Sequence, residues 1–197
     1  YGNANFVGIP WETIVKEFRS ELGEKRFDHL VDYSNLFFRF LKNNRALFPA
    51  ASQDQVVKDL IESLFYYLRY EMEQQLNHES ELRNGLKENE IKPIIAKVVS
   101  SRLAIIKNQK RLKGFGKQTV IDIRQRYAKV VSSTRHELFG NLPISAGTSR
   151  KIASIAIEML SREYLGPSLS GVVIAGFGER EAMPSLHEYQ VQDMILN

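Results

Sequence analysis

The sequence predicts an α+β chain in which helices dominate, and three observations carry that expectation. Apolar residues recur every three or four positions along six segments between Pro10 and Leu165, the spacing of one helix face. The period then changes, and Val172-Val173-Ile174-Ala175 forms a short β-branched run between glycines, suited to a buried strand. A composition of 43% apolar and 25% charged residues over 197 positions is that of a chain able to bury a core.

Taken in order, residues 1–9 read as a short strand or loop punctuated by Gly2 and Gly8. Pro10 suits a helix start, where its missing N–H costs nothing. Ile14, Val15, Phe18 and Leu22 share a face of that first helix, and Gly23 stops it. Asp28 is placed to cap a second helix, whose Leu30, Val31, Tyr33, Leu36, Phe37, Phe38, Phe40 and Leu41 make it apolar on most sides, as in a buried helix. Ser52-Gln53-Asp54-Gln55 has the spacing of a capping box. The helix behind it carries Val56, Leu60, Leu64, Tyr67 and Leu68 and is expected to end near Leu76. The polar stretch 77–89, with Asn84-Gly85, reads as a loop or weak helix.

Residues 91–112 are amphipathic, with Pro93 expected in the first turn. Gly114-Phe115-Gly116 breaks the pattern, and 119–139 resumes it up to Gly140 and Pro143. Thr148 is expected to cap a last helix bearing Ile152, Ile155, Ala156, Met159 and Leu160, stopped by Gly166-Pro167. Leu186, Tyr189 and Val191 mark a second extended stretch, joined to the first by residues 178–185.

Several chemistries are excluded or disfavoured. With no cysteine there is no disulfide, thiolate metal site or cysteine nucleophile. None of the four histidines, His29, His78, His136 and His187, pairs with another at helical spacing, so no metal site is expected, and no cofactor. Gly176-Phe177-Gly178 follows a strand as a dinucleotide fingerprint would. Glu181 stands where the third glycine belongs, however, and Met183-Pro184 where a helix should open, so the glycines read as a tight turn. The serines at 132, 133 and 145 lack a nucleophile-elbow setting. The Tyr66, Tyr67, Tyr70 group and the Phe37, Phe38, Phe40 group read as core. No run approaches the roughly 18 apolar residues of a membrane span, and no secretory signal is evident, so a cytoplasmic protein without membrane contact is expected.

The net charge is +4. Lys107, Lys110, Arg111, Lys113 and Lys117 lie close together near Phe115, a candidate anion-binding patch in which cations would meet phosphates and the ring would stack. The same cations are equally at home at a solvated helix C-terminus, where the dipole favours them. That plainer reading is preferred here, and nucleic acid is not the expected partner.

Two segments carry a family resemblance. Residues 171–191 hold Gly-Val-Val-Ile-Ala-Gly-Phe-Gly and then Pro-Ser-Leu-His-Glu-Tyr-Gln-Val. They resemble the strand pair of proteasome-type N-terminal-nucleophile (Ntn) hydrolases, in which an apolar strand ends in an Ala-Gly-aromatic turn and Pro-x-Leu opens the next. Gly178 departs from the pattern, which has Asp after the aromatic. Residues 1–22, with Gly2-Asn3-Ala4-Asn5 ahead of the first helix, are similar to that family's strand end and first core helix.

The resemblance implies part of an αββα sandwich of two sheets between helix layers, interrupted by a large helical insertion. Residues 1–27 would be the strand end and first core helix, 28–140 the insertion, and 141–197 the second core helix and strand pair. It further implies hydrolysis of peptide or amide bonds by an N-terminal Thr, Ser or Cys using its own amino group as base. That nucleophile would precede Tyr1, so this chain would hold no complete catalytic set; Gly2 or Asn3 would offer an oxyanion-hole amide. Ring assembly in the family makes a homo-oligomer the expected partner, with a peptide-like substrate if the protein is active. A chain starting at Tyr1 without Met and ending in an apolar run is expected to belong to a longer protein. A catalytically silent relative, a helical protein-interaction module and a nucleic-acid-binding helical domain are the competing readings.

Overall fold

A computed structural model describes residues 4–112, 114–163 and 170–191. It is mostly helical, with two small antiparallel sheets. The chain divides into two compact units, Tyr1–Val56 with Leu165–Asn197, and Val57–Tyr164.

Unit 1 opens with a minimal hairpin, β1 (Asn5–Phe6) and β2 (Ile9–Pro10), turned by Val7 and Gly8. Both turn residues have positive φ, 51° and 76°, as a two-residue hairpin turn of the favoured hand requires. That geometry is costly for a β-branched residue, and Val7 accepts it while 2% exposed in the core. Helix α1 (Trp11–Leu22) follows and stops at Gly23, φ 53°. Helix α2 (Leu30–Asn43) sends Phe37, Phe40 and Leu41 inward. They meet Phe6, Val7, Ile14 and Phe48 in one cluster, against which Phe18, Phe38, Val172, Ile174 and Val191 pack. The cluster is built from rings. Phe6 stacks on Trp11 at 5.1 Å, and Phe18 meets Phe37 edge-on at 5.0 Å. The Phe37 and Phe40 rings are therefore core, as expected.

Strands β3 (Ser170–Gly176) and β4 (Ser185–Val191) pair antiparallel, with Val172 opposite Tyr189 and Ile174 opposite His187. This is the expected pairing of the Val172-Val173-Ile174-Ala175 run with the stretch marked by Leu186, Tyr189 and Val191. Alternation sends Val172, Ile174, Tyr189 and Val191 towards the aromatic cluster, and leaves Val173, Ala175, Leu186 and Glu188 on the other face. Phe38 of α2 meets Tyr189 of β4 at 4.6 Å.

Unit 2 is a helical bundle with an aliphatic core. Helix α3 (Ala50–Arg83) begins within unit 1 and supplies Val57, Ile61, Leu64, Phe65, Leu68 and Met72 to this core. Helix α4 (Glu88–Asn108) gives Ile95, Val99 and Ile106; α5 (Lys117–Phe139) gives Ile123, Tyr127, Val131, Leu138 and Phe139; α6 (Ala146–Leu160) gives Ile152, Ile155, Ile157 and Leu160. Helices α4 and α6 run parallel: Lys151 Nζ donates to Ser100 Oγ at 2.8 Å, and Arg162 further along reaches the Lys107 carbonyl at 2.7 Å. Helix α6 packs against α4 and α5 within this unit, whereas α1 belongs to unit 1.

Helix ends depart from expectation where local rules met stronger partners. No side chain of its own segment caps α2: His29, not Asp28, occupies the N-cap, and the Leu30 N–H goes to Glu181 instead. Helix α3 starts at Ala50 rather than behind Ser52, because the Pro49 carbonyl takes the Ser52 and Gln53 N–H groups and the Gln53 amide turns back to the Phe48 carbonyl. It also runs past Leu76 to Arg83. The polar end is laced by Arg83–Glu79 at 2.8 Å and Gln75–Glu79 at 3.2 Å, and closes at Asn84 and Gly85 with positive φ. Helix α4 starts three residues before Ile91, with Glu90 accepting the Lys87 N–H, so Pro93 sits in the second turn. Ser145, not Thr148, caps α6 by accepting the Thr148 N–H at 3.1 Å.

Candidate functional site

Of the residues singled out in the sequence, Gly2, Asn3 and Lys113 lie outside the described residues. The nearest described part of the N-terminal segment is Ala4 with strand β1, ahead of the strained Val7–Gly8 turn. The remaining candidates fall in two places, the tip of the β3–β4 hairpin in unit 1 and one end of the bundle in unit 2.

At the hairpin tip, residues 178–181 lie along the approach to α2. The Glu179 N–H donates to the Phe27 carbonyl at 2.9 Å and the Arg180 N–H to the Asp28 carbonyl at 3.1 Å. Gly178 is buried, and a Cβ there would run into the Asp28 carbonyl. This close approach explains why glycine follows Phe177. Glu181 accepts N–H groups from Gly178 at 2.7 Å and Leu30 at 3.0 Å, and faces His29 Nδ1 at 3.7 Å. These two backbone donors hold its carboxyl below the usual carboxylate range, with His29 and His187 adding to the effect. Arg26–Glu179 and Arg180–Asp28 pairs flank the contact on the surface.

Behind the tip, His187 Nδ1 lies 3.5 Å from Ser34 Oγ and 3.4 Å from the Tyr189 hydroxyl. A serine beside a histidine invites a nucleophile reading. Ser34, however, is fully buried on the inner face of α2, and its hydroxyl also points to the Leu30 carbonyl at 3.4 Å. No acyl group reaches it, and the trio bridges helix to strand. Sequence reasoning missed this trio and the Glu181 cap, since neither leaves a local signature across about 150 residues.

In unit 2, the segment after α4 is pinned to the exit of α6. The Glu163 N–H donates to the Lys110 carbonyl at 2.8 Å, the Leu112 N–H to the Ser161 carbonyl at 3.1 Å, and Arg111 bridges Arg162. The Arg162 guanidinium donates to the Lys107 and Gln109 carbonyls, both at 2.7 Å, while Glu158 accepts from its Nε at 2.7 Å. Arg162 therefore serves the frame, satisfying carbonyls at the end of α4. It leaves Lys107, Lys110 and Lys117 exposed and Arg111 half-buried. Lys110 has Glu163 at 4.0 Å; among the described residues, no ion pair or hydrogen bond holds the side chains of Lys107, Arg111 or Lys117. The structure thus brings four of the five predicted cations to one region.

The tyrosine group of α3 is not core. Tyr66, Tyr67 and Tyr70 are 58%, 51% and 56% exposed, because Leu64, Phe65 and Leu68 take the inward face of that turn. Arg102, paired with Glu71 through both carboxylate oxygens, lies over the Tyr67 ring at 5.0 Å. Among the described residues no group of three metal-ligating side chains forms, and no helix is long and apolar enough to cross a membrane. No known protein family, curated protein or solved structure matches the chain.

Proposed function

We propose that unit 1 is the helix-covered layer of a proteasome-type Ntn hydrolase scaffold. On this reading the full protein either cleaves peptide or amide bonds with a nucleophile outside this chain or is a silent relative that keeps the scaffold. The carrying observation is the asymmetry of the β3–β4 pair. One face seals an aromatic core with α1 and α2, while the other leaves Val173 56% and Leu186 58% exposed. A sheet with helices on one side and exposed apolar side chains among Glu188 and Gln190 on the other would suit half of an αββα sandwich, in which a second sheet would cover that face. The Ala175-Gly176-Phe177 turn and the Pro184-Ser185-Leu186 strand start support the same reading.

The test is the full-length protein from its own host. Intact mass and N-terminal sequencing are expected to find a mature chain beginning with Thr, Ser or Cys, and an electrophilic peptide probe to label that residue. A mature chain that begins otherwise and takes no label leaves the silent scaffold. A full-length structure in which the Val173–Leu186 face stays bare, or in which α1 and α6 do not lie side by side on the sheet, overturns the proposal.

The exposed Tyr66, Tyr67 and Tyr70 favour a second reading, a helical module that docks another protein through rigid amphipathic rings. Light scattering on wild type and on Tyr66→Ser/Tyr70→Ser tests self-association through them. Assembly lost in a folded variant supports it, and unchanged assembly removes it.

A further inference from the structure

Charge is divided unevenly along this chain. Unit 1 carries 8 Lys and Arg against 11 Asp and Glu, and unit 2 carries 19 against 12. Within unit 2 the excess is confined to its second half. Residues 57–106 hold 7 cations and 8 acids, whereas residues 107–164 hold 12 cations and 4 acids, a net +8. The overall +4 hides this segregation.

The fold concentrates the excess further. Of the four acids, Glu158 is spent on Arg162, Glu163 lies near Lys110, and Asp122 accepts from Gln118. On α5 the buried Ile123, Tyr127, Val131, Thr134 and Leu138 define the inward face. Lys117, Arg124 and Arg135 then fall within about 20° of one another along one flank, at 100° per residue. They span about 27 Å of helix at 1.5 Å per residue. No acid shares that stripe; exposed Ile121 lies beside it. Lys107, Lys110 and Arg111 stand at the end of the bundle from which α5 departs, held by the Arg162 and Glu163 contacts. Among the described residues, no ion pair or hydrogen bond engages the side chains of Arg124 or Arg135.

We propose that this face, from Lys107, Lys110 and Arg111 through Lys117 to Arg124 and Arg135, binds the phosphate backbone of a nucleic acid. An extended row of cations, in which Glu163 beside Lys110 is the acid met and the α5 stripe carries none, matches a regularly repeating charge. A protein partner would want a depleted-charge core with an aromatic anchor, and the stripe offers only Ile121. Contacts of this row to phosphates carry no sequence information, so the binding is expected to be largely independent of sequence. This inference stands apart from the hydrolase reading.

The test uses the full chain with a labelled 20-mer as duplex DNA, as single-stranded DNA and as single-stranded RNA, by fluorescence anisotropy at several salt concentrations. Binding is expected at 50 mM salt. With about four phosphates engaged, log K is expected to fall against log salt with a slope of roughly −3 to −4. Lys117→Glu/Arg124→Glu, checked for helix content by circular dichroism, is expected to bind at least tenfold more weakly. Lys117→Gln alone is expected to reduce the slope by about 1. Comparing the three oligonucleotides identifies which nucleic acid the face prefers. Absence of binding at 50 mM salt, or a folded charge-reversed variant that binds like wild type, overturns the proposal. So does poly-glutamate competing as well as the oligonucleotide at equal charge, which would assign the face to an acidic protein.

Discussion

The two units solve the same packing problem with different materials. Unit 1 closes on interlocked rings of Phe6, Trp11, Phe18, Phe37 and Phe40, and ties its helix to its hairpin through one tight contact at Gly178 and Glu181. Unit 2 spreads its burial over isoleucine, valine and leucine from four helices and caps the starts of α4 and α6 locally, through Glu90 and Ser145. In unit 1 a few contacts between residues far apart in sequence are decisive. In unit 2 many modest contacts share the burden, which frees its surface to carry an excess of cations.

That contrast can be broken or sharpened by substitution. Phe65→Ala removes a fully buried ring of the unit 2 core, which meets Phe139 at 5.6 Å, and is expected to cost about 3–5 kcal/mol by chemical denaturation. A cost near 1 kcal/mol would mean that the bundle collapses into the gap and is less tightly packed than described. Gly178→Ala adds a single carbon against the Asp28 carbonyl and is expected to cost about 1–3 kcal/mol, concentrated in unit 1 as faster amide exchange at Leu30 and Glu179. If exchange there stays slow, the tight contact is not what holds the hairpin. Ser145→Ala deletes the α6 cap and is expected to cost about 1 kcal/mol, the behaviour of a locally capped bundle.

Acidification has the smallest expected effect, and it is not confined to unit 1, since the Glu79 and Glu90 carboxyls of unit 2 are also held below the usual range. The Glu181 carboxyl is lowered in the folded state, so its contribution is present above the unfolded carboxylate range near ~4.3 and is lost as pH falls through the depressed folded value. Unit 1 is therefore expected to weaken on acidification below that range, and Glu181→Gln to flatten the dependence. Followed by near-ultraviolet dichroism of Trp11, an unchanged pH profile in the variant would remove Glu181 from the account.

The helices were legible because burial imposes a 3.6-residue period on Ile14–Phe18–Leu22 and on Ile152–Ile155–Met159. The strand pair was legible because β-branched residues between glycines have few other uses. Helix limits were less so. The polar end of α3 persists through Arg83, Glu79 and Gln75, whose pairing adds nothing to an apolar pattern. Leu30 lacks a local cap because its acceptor, Glu181, arrives from the far end of the chain. The tyrosines of α3 read as core by type, yet Phe65 and Leu68 had already filled the inward positions. The cation cluster at 107–117 was visible as a run, but its extension to Arg124 and Arg135 needed the inward face of α5 to be known.

The cap on α2 has one more consequence, in the order of synthesis. Unit 2 is a continuous stretch, and every residue of it is synthesised before β3. Unit 1 is split, and α2 keeps an unanswered N–H at Leu30 until Glu181 emerges. The aromatic faces of α1 and α2 thus lack their strands while residues 57–164 are made. A chain cut off near residue 165 and released would hold every residue of the basic bundle together with helices whose apolar faces lack their strands, the state in which a chaperone would be most needed.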